Sequence, residues 1–233
     1  MPSYYAPQLG SKQSEVLLTG DEAHHIHIVK RYTSGTKLKL NGGNGHIANG
    51  VIVRIDKTGV WVDIKDCTYT APSSPRLAIA FTLLRHHHDE LIIEKCTELG
   101  VSDFFPMQTE YSVRYTGKNT ITRFQKIALS AIKQCDNPWL PLIHETNELD
   151  NALLRITQAG FTPILCSEKE RLNKLINVTL AGDTCMIVGP EGGWSIAELE
   201  MMQNLRAITL SPLITRAETA AIAGAAQFCG LFR

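Results

Sequence analysis

The stretch from Ile187 to Ser195 constrains the fold of this chain more than any other segment does. It begins as an apolar strand and continues into a loop with three glycines, and a helix follows. Ser195 with Glu198 three residues later forms a capping-box pattern, which specifies where that helix begins. A parallel α/β protein binds small molecules in such a loop, at the carboxyl end of a strand. Because glycine has no Cβ, a ligand can lie against this backbone.

The glycine loop Gly189–Gly193 does not have the residues of a phosphate cradle. It lacks the lysine and the Ser or Thr of a P-loop, and its glycines do not follow the GxGxxG spacing. A nucleoside triphosphate or a dinucleotide is therefore disfavoured as the ligand. From this loop alone, a tight turn that needs positive φ explains the glycines as well as a binding site does.

A second loop, Leu210–Thr219, has a similar context, because a buried strand runs into it and an Ala-rich helix follows. Arg216 stands where that helix begins, and a cation is unfavourable at a helix N-terminus. Two interpretations stay open for it. Arg216 forms a surface salt bridge, or it is held over a bound anion or a developing negative charge.

The composition is that of an ordinary globular protein, with 44% hydrophobic and 20% charged residues among 233. No apolar run approaches the ~20 residues of a membrane helix, and the N-terminus lacks a signal-peptide pattern, so we expect no membrane association and a cytoplasmic location. Six scattered cysteines without CxxC spacing predict neither a zinc site nor disulfides. A net charge of zero excludes a strongly cationic nucleic-acid coat, although a small basic excess before residue 73 permits local RNA contact.

The Pro- and Ser-rich segment Thr70–Pro75 separates two regions that differ in their predicted order of strands and helices. Before it, one helix at about Asp21 to Arg31 and a β-meander predict a small β-barrel; the meander strands are Thr36–Leu40, His46–Ile55 and Val60–Tyr69. After it, strands alternate with helices, which predicts a largely parallel sheet covered on both faces. The predicted elements there are strands at Leu77–Leu83, Ser102–Met107, Phe161–Cys166, Thr184–Val188 and Ala207–Leu210, and helices at His88–Leu99, Thr120–Gln134, Ala197–Gln203 and Ala217–Phe232.

Three further patterns leave alternatives open. The run His86–His88 resembles a metal cluster, but adjacent side chains point in different directions, so a solvated loop near RNA is favoured and no metal site is expected. His24 and His27 share a helix face, where core or RNA-surface roles are favoured over metal ligation. The last helix, Ala217–Phe232, is apolar nearly all round, so a buried core position and a dimer interface are equally open.

Five motifs in a fixed order resemble those of the RsmE family, the 16S ribosomal RNA uridine N3-methyltransferases of the SPOUT class. They are Leu18–Ile26 with Lys30-Arg31, Glu94–Val101, Phe124–Ala128 with Lys133–Cys135, Val188–Gly193, and Leu210–Thr219. The resemblance runs the whole length of the chain. It implies an α/β fold, namely a SPOUT trefoil-knot methyltransferase domain at residues 73–233 after a PUA-like β-barrel RNA-binding domain at residues 1–72. It also implies a homodimer that acts on 16S rRNA of the small ribosomal subunit.

The resemblance further implies a pocket for S-adenosyl-L-methionine made by three loops. Its predicted residues are Leu165, Cys166 and Ser167 in the first loop, Gly189, Pro190, Glu191, Gly192 and Gly193 in the second, and Leu210, Ser211, Leu213, Ile214 and Thr215 in the third. We expect Arg216 to stabilise charge on a uracil oxygen, with Glu218 or Glu191 orienting it, so Arg216 and Glu218 are the predicted catalytic residues. The predicted RNA contacts are Lys30, Arg31, Arg85 and Arg123. The sequence shows no obvious general base.

The sequence departs from the family pattern at Ser211, Leu213 and Ala217, and at Asp136–Trp139, where a basic residue is usual. These departures motivate an alternative of another class, an RNA-binding ribosome assembly factor that kept the fold and lost activity. A methyltransferase of another RNA, such as transfer RNA, is a further alternative. A nucleotide-dependent enzyme is a weaker one, because no phosphate-binding lysine accompanies the glycines.

Overall fold

The computed structural model describes residues 3–180 and 182–232 of the chain. Contacts between residues group them into two compact units. The first contains the described residues up to Pro72 together with Leu129–Leu140, and the second contains Ser73–Ala128 and the described residues from Pro141 onward. The division expected between residues 72 and 73 stays a prediction, and the structure adds a later segment to the first unit.

The first unit contains one five-stranded sheet around an apolar core. Its strands are β1 (Tyr4–Tyr5), β2 (Glu15–Leu18), β3 (Lys37–Asn41), β4 (His46–Asp56) and β5 (Gly59–Tyr69), in the order β1-β3-β4-β5-β2. The predicted meander is confirmed as β3, β4 and β5, which pair antiparallel. The sheet curls into a half-barrel, and β1 and β2 are too short for a periodic pattern to predict them.

The predicted first helix is divided into an α-helical part and a π-helical part. Helix α1 spans Gly20–His24, and a π-helical turn covers His25–Val29. The Lys30 N–H donates to the His25 carbonyl at 2.9 Å, the i→i+5 bond that defines such a turn. Arg31 follows with a left-handed φ of 54°, which ends the helical segment. Ile26 is fully buried and anchors it to the core.

The segment Leu129–Leu140 is tied to the first unit by side chains on both sides. The amide of the fully buried Asn41 donates to the Asn137 carbonyl at 2.8 Å. The Trp139 indole N–H donates to the Thr70 carbonyl at 3.0 Å, and its ring meets Tyr69 edge-on. The departure from the RsmE pattern at Asp136–Trp139 therefore has a structural role, because these residues pack on the strands of the first unit.

The second unit contains a sheet in which every pairing is parallel, as predicted. Its strands are β6 (Leu77–Thr82), β7 (Asp103–Gln108), β8 (Leu142–Ile143), β9 (Asn147–Glu148), β10 (Thr162–Cys166), β11 (Thr184–Val188) and β12 (Arg206–Ile208). The order is β12-β10-β11-β6-β7-β8, and β9 also pairs with β7. Strands β6, β7 and β11 are buried at every position, which explains why they read as continuous rather than alternating apolar runs.

The helices are α2 (Asp89–Glu98), α3 (Thr120–Cys135), α4 (Leu149–Gln158), α5 (Ile196–Met201) and α6 (Ala217–Phe232). Helix α4 was not predicted. Helix α6 packs against β6, β11 and α2, and a Cβ on Gly224 would lie 2.8 Å from the Met186 sulfur. At the other end of α6, Leu231 and Phe232 are exposed. Among the described residues, no helix combines the length and the apolar character that crossing a membrane requires.

Candidate functional site

A cleft of about 830 Å³ lies at the carboxyl ends of four neighbouring strands, β12, β10, β11 and β6. The loops after these strands supply its walls, and the volume suits a ligand the size of a nucleoside derivative. The lining residues are Arg85, His86, His88, Cys166, Ser167, Glu168, Lys169, Val188, Gly189, Pro190, Glu191, Gly192, Gly193, Trp194, Leu199, Leu210, Ser211, Leu213, Ile214, Thr215, Arg216, Ala217 and Ala220.

Each glycine in the loop after β11 is required for its own reason. A Cβ on Gly189 would lie 2.7 Å from the Trp194 indole nitrogen, and one on Gly192 would lie 2.9 Å from the Tyr111 Cβ. Gly193 has a φ of 78°, and its N–H donates to the Pro190 carbonyl at 3.0 Å. Tyr111 and Trp194 therefore pack directly against the loop, and larger residues would displace it.

The capping box that begins α5 is confirmed and has a second purpose. The Ser195 N–H donates to one Glu198 carboxylate oxygen at 2.8 Å, and the Glu198 N–H donates to the Ser195 hydroxyl at 3.3 Å. The other Glu198 oxygen accepts the backbone N–H of Glu110 at 2.8 Å. One buried carboxylate thus fixes both the end of the glycine loop and the segment that follows β7.

The loop after β10 is organised by one carboxylate. Glu170 accepts the backbone N–H groups of Arg171, Leu172 and Asn173 at 2.8, 2.7 and 3.0 Å. These hydrogen bonds, the one from Asn173 first, lower the pKa of Glu170. The turn positions Glu168 and Lys169 at the mouth of the cleft.

Cys166 lines the cleft but is not suited to nucleophilic chemistry. Burial raises the pKa of its thiol to about 12, so the thiol is neutral at physiological pH. The thiolate is the reactive form of cysteine. Covalent catalysis by Cys166 is therefore disfavoured, and the side chain serves as a small apolar wall.

The loop after β12 combines apolar exposure with internal hydrogen bonds. Leu213 and Ile214 are 76% and 74% exposed. The Leu213 N–H donates to the Ser211 hydroxyl at 3.1 Å, and Gln227 of α6 donates to the Leu210 carbonyl at 2.8 Å. The departure at Ser211 is thus accommodated, because its hydroxyl accepts a loop N–H.

All predicted cofactor residues except Leu165 line the cleft. Leu165 precedes Cys166 in β10, and successive strand residues point to opposite faces. It is buried in the apolar core with Phe105 and Ile187. The Leu165 side chain thus belongs to the core, and a contact of this residue with the cofactor stays a prediction.

The predicted orienting carboxylates do not pair with Arg216. Arg216 lines the cleft and is exposed, and its guanidinium has no hydrogen-bond or ion-pair partner among residues 3–180 and 182–232. Glu191 lies 3.6 Å from the Arg85 guanidinium, and Glu218 lies 3.2 Å from the His88 ring. The surface salt bridge considered for Arg216 is thus absent from the described structure, and Glu218 contacts a different residue from the one expected.

The four predicted RNA contacts are divided between the two units, two in each. Arg85 lines the cleft, whereas Arg123 forms an ion pair with Glu90 at 2.7 Å. Lys30 and Arg31 are exposed on the first unit. The helical segment before them borders a groove of about 210 Å³, which His24, His27 and Ile28 line.

Two residues of the histidine run line the cleft, which the sequence did not predict. His86 and His88 line the cleft, where a solvated loop was favoured. His86 and His87 have left-handed φ values of 51° and 59°, which bulky residues rarely adopt. The signal that could have found them is their position after β6, since that strand ends at the same sheet edge as β11.

A buried ion pair holds the segment after this run. Asp89, the first residue of α2, is fully buried and pairs with Arg114 of the loop after β7. Burial raises the pKa of Asp89, and the Arg114 charge opposes that rise. Arg114 also reaches the His87 ring at 2.6 Å. In the described part of the chain, no group of three or more His, Cys, Asp or Glu side chains is arranged to hold a metal ion.

Comparison with known proteins found family models and relatives that match this chain. The family model described as RNA methyltransferase domain matches residues 72–228, more than half of the chain, and one described as RNA methyltransferase PUA domain matches residues 18–65. Ribosomal RNA small subunit methyltransferase E of Rickettsia conorii is 28% identical over 226 residues, with 93% of this chain and 90% of that protein covered. The Bacillus subtilis protein of the same name is 28% identical over 217 residues, covering 87% and 85%.

A solved structure agrees with these matches. The crystal structure of a ribosomal RNA small subunit methyltransferase E from Neisseria gonorrhoeae, bound to S-adenosyl methionine, superposes with a TM-score of 0.88. It is 25% identical in sequence, and the match covers 100% of this chain and 98% of that one.

Proposed function

This chain belongs to the RNA methyltransferase family, and on that premise we propose that it methylates N3 of a uridine in 16S rRNA of the small ribosomal subunit, with S-adenosyl-L-methionine as donor. The observation that carries the proposal is the cleft at the ends of β12, β10, β11 and β6. Two of its walls, after β11 and β12, are loops on which the RsmE resemblance rests, and a third, after β10, is a loop that the resemblance implies. Relatives named for this ribosomal activity cover nearly the whole chain, which supports the same substrate.

The residues of the cleft fit the methyl donor. The donor supplies a methyl group on a positively charged sulfur. The backbone of Gly189 to Gly193 offers hydrogen-bonding groups for a purine base, and the apolar Leu210, Leu213 and Ile214 offer contact for its ring. Glu168 and Glu191 supply negative charge for the cationic parts of the donor. The lack of a phosphate cradle agrees with a ligand that has no phosphate.

Methylation at N3 needs an anionic nitrogen, because the lone pair of the neutral imide is delocalised into its two carbonyl groups. The negative charge spreads onto the uracil oxygens when the proton leaves. Arg216 is suited to stabilise that charge, since its guanidinium lines the cleft and has no carboxylate partner in the described structure. Its donors are thus available to a substrate oxygen.

The first unit is suited to bind RNA. Lys30 and Arg31 are exposed where the helical segment ends and can contact phosphates. Ile28 and Val29 are exposed beside them, and apolar residues among cations favour contact with unpaired bases. An rRNA substrate also fits the expected cytoplasmic location.

The homodimer and the trefoil knot belong to the same proposal. Exposed Leu213, Ile214, Leu231 and Phe232 give the second unit apolar surface that a second copy of the chain can cover. The three loops implied to form the knot follow β10, β11 and β12, and the order β12-β10-β11-β6 brings their ends to one edge. Light scattering at increasing protein concentration tests the dimer. A monomeric mass at every concentration would exclude it.

The activity itself is tested with purified protein, labelled S-adenosyl-L-methionine and small subunits from cells that lack the enzyme. Mass mapping of the RNA should find one new methyl group on N3 of a uridine in 16S rRNA. Transfer RNA in parallel distinguishes the alternative substrate. Titration calorimetry with the donor addresses the assembly-factor alternative, since an inactive factor with a degenerate cleft would bind no donor.

A further inference from the structure

His88 and Glu218 form a dyad at the cleft. His88 follows β6 and Glu218 stands in the first turn of α6, and the His88 Nδ1 lies 3.2 Å from a Glu218 carboxylate oxygen. The His88 side chain is 32% exposed and lines the cleft, as Arg216 does. Its other ring nitrogen, Nε2, has no hydrogen-bond partner among the described residues.

Glu218 is built as a buried countercharge. The residue is only 7% exposed, and its second carboxylate oxygen is buried with no hydrogen-bond partner in the described structure. A buried carboxylate is costly unless a positive charge or dipole compensates it. The N-terminus of α6 supplies a partial positive charge, and a protonated His88 would supply a full one.

The backbone that presents His88 is held in a rare conformation. The left-handed φ angles at His86 and His87 are energetically unfavourable for residues with a side chain. Such conformations persist where the surrounding structure holds them, often at functional sites. Here the buried Asp89–Arg114 ion pair lies directly after the run and fixes it. The strain and its support place His88 at the wall of the cleft.

We infer that His88 is the general base that removes the N3 proton of the target uridine, and that Glu218 positions it. This inference rests on the proposed function. The Glu218 carboxylate lies 3.2 Å from Nδ1, so it favours the tautomer with the proton on Nδ1 and a free lone pair on Nε2. As the N3–H bond breaks, its proton passes to Nε2 and its electron pair stays on nitrogen. N3 then bonds the methyl carbon, the carbon–sulfur electron pair leaves with sulfur, and His88 later releases its proton to water.

Several charged groups besides Glu218 share the cleft with His88. They are Arg85, His86, Glu168, Lys169, Glu191 and Arg216. Glu191 lies 3.6 Å from the Arg85 guanidinium, and Arg216 is placed to stabilise the uracil anion. The Glu218 carboxylate is the group in direct contact, so its charge acts most strongly on His88.

The test measures single-turnover methylation of small subunits against pH for four proteins. They are the wild type, His88→Gln, Glu218→Gln and the matched control His46→Gln, whose ring contacts Asn44 within the first unit. The wild-type rate should fall at low pH as the base becomes protonated. His88→Gln should lower the rate at neutral pH by about 10²-fold or more and lose that fall, with the rate rising steadily as the uridine ionises by itself.

Glu218→Gln should lower the rate and move the fall to lower pH, because the imidazolium loses its countercharge. His46→Gln should keep the wild-type shape of the profile. A wild-type protein that fails to methylate uridine refutes the proposed function. If the wild type is active and His88→Gln has the same pH profile, His88 is not the general base.

A second measurement is independent of turnover. Nitrogen NMR of the ¹⁵N-histidine-labelled protein should show neutral His88 with its proton on Nδ1, and Glu218→Gln should weaken that preference. A neutral His88 with its proton on Nε2 would overturn the assignment, because no lone pair would then face the uridine.

Discussion

The Glu198 carboxylate accepts the backbone N–H of Glu110 at 2.8 Å while it also caps its own helix at Ser195. The helix begins directly after the glycine loop, and Glu110 begins the segment that carries Tyr111 onto Gly192. One buried side chain therefore holds both the glycine loop and the segment with Tyr111 that packs against it. A cap that looks purely local in the sequence has a long-range function.

Replacing Glu198 by Ala should destabilise the protein and loosen the wall. The change removes the reciprocal cap, worth about 1 kcal/mol, and leaves the Glu110 N–H without its partner at a cost of about 1–3 kcal/mol. We expect the free energy of unfolding in urea to fall by about 2–4 kcal/mol, with weaker donor binding by calorimetry. Glu198→Gln keeps one acceptor and should lose less. Equal losses in both variants would show that the charge, rather than the Glu110 contact, matters.

A Cβ at Gly189 should disturb the loop after β11. Gly189→Ala places that atom against the Trp194 indole, which must shift or carry the loop with it. We expect the Kd of S-adenosyl-L-methionine to rise at least tenfold, about 1.4 kcal/mol, by calorimetry. Gly230→Ala is the matched control, because a Cβ there meets nothing within 4 Å. Equal donor affinity in Gly189→Ala and wild type would contradict the crowding.

The sequence predicted the elements whose signals are local. Strand β11 and helix α6 have the predicted bounds, and the Ser195–Glu198 capping box is confirmed. The cleft could be located in advance because buried parallel strands bring their following loops to one edge. Strands β8 and β9 have two residues each, too few for any periodic pattern.

The sequence could not predict what depends on distant partners. Helix α4 buries Leu149, Ala152 and Ile156 on one face, but Glu148 before it makes no side-chain cap, so the start signal is missing. The pairing of Glu218 with His88, rather than with Arg216, depends on how α6 packs against the segment after β6. No spacing rule relates two residues so far apart in the chain.

Arg216→Ala should separate catalysis from donor binding. If its guanidinium stabilises only the uracil anion, the alanine variant should lose about 10²–10³-fold in kcat while the Kd for S-adenosyl-L-methionine stays within a few-fold. Arg216→Lys keeps the charge and should recover part of the rate. Single-turnover methylation and calorimetry measure the two quantities. If Arg216→Ala methylates at the wild-type rate and still binds the donor, Arg216 has no role in the reaction.

Cys166 should resist alkylation although it lines the cleft. A pKa of about 12 leaves about one thiol in 10⁴ as thiolate at pH 8, and only the thiolate reacts. We therefore expect iodoacetamide to modify Cys166 at pH 8 far more slowly in the folded protein than in urea, where the thiol regains an ordinary pKa. Peptide mass spectrometry measures both rates. Fast modification of the folded protein would show a thiolate in the cleft.

Charge reversal at Lys30 and Arg31 should weaken RNA binding without affecting the donor. Each phosphate contact contributes about 0.7–0.9 to the slope of log affinity against log salt, so losing two should reduce the slope by roughly 1.5. We expect Lys30→Glu with Arg31→Glu to show this loss in filter binding to 16S rRNA. Lys12→Glu with Lys65→Glu changes the net charge of the chain equally and is the control. A salt slope equal to that of the wild type in the first variant would place the RNA contacts on another surface.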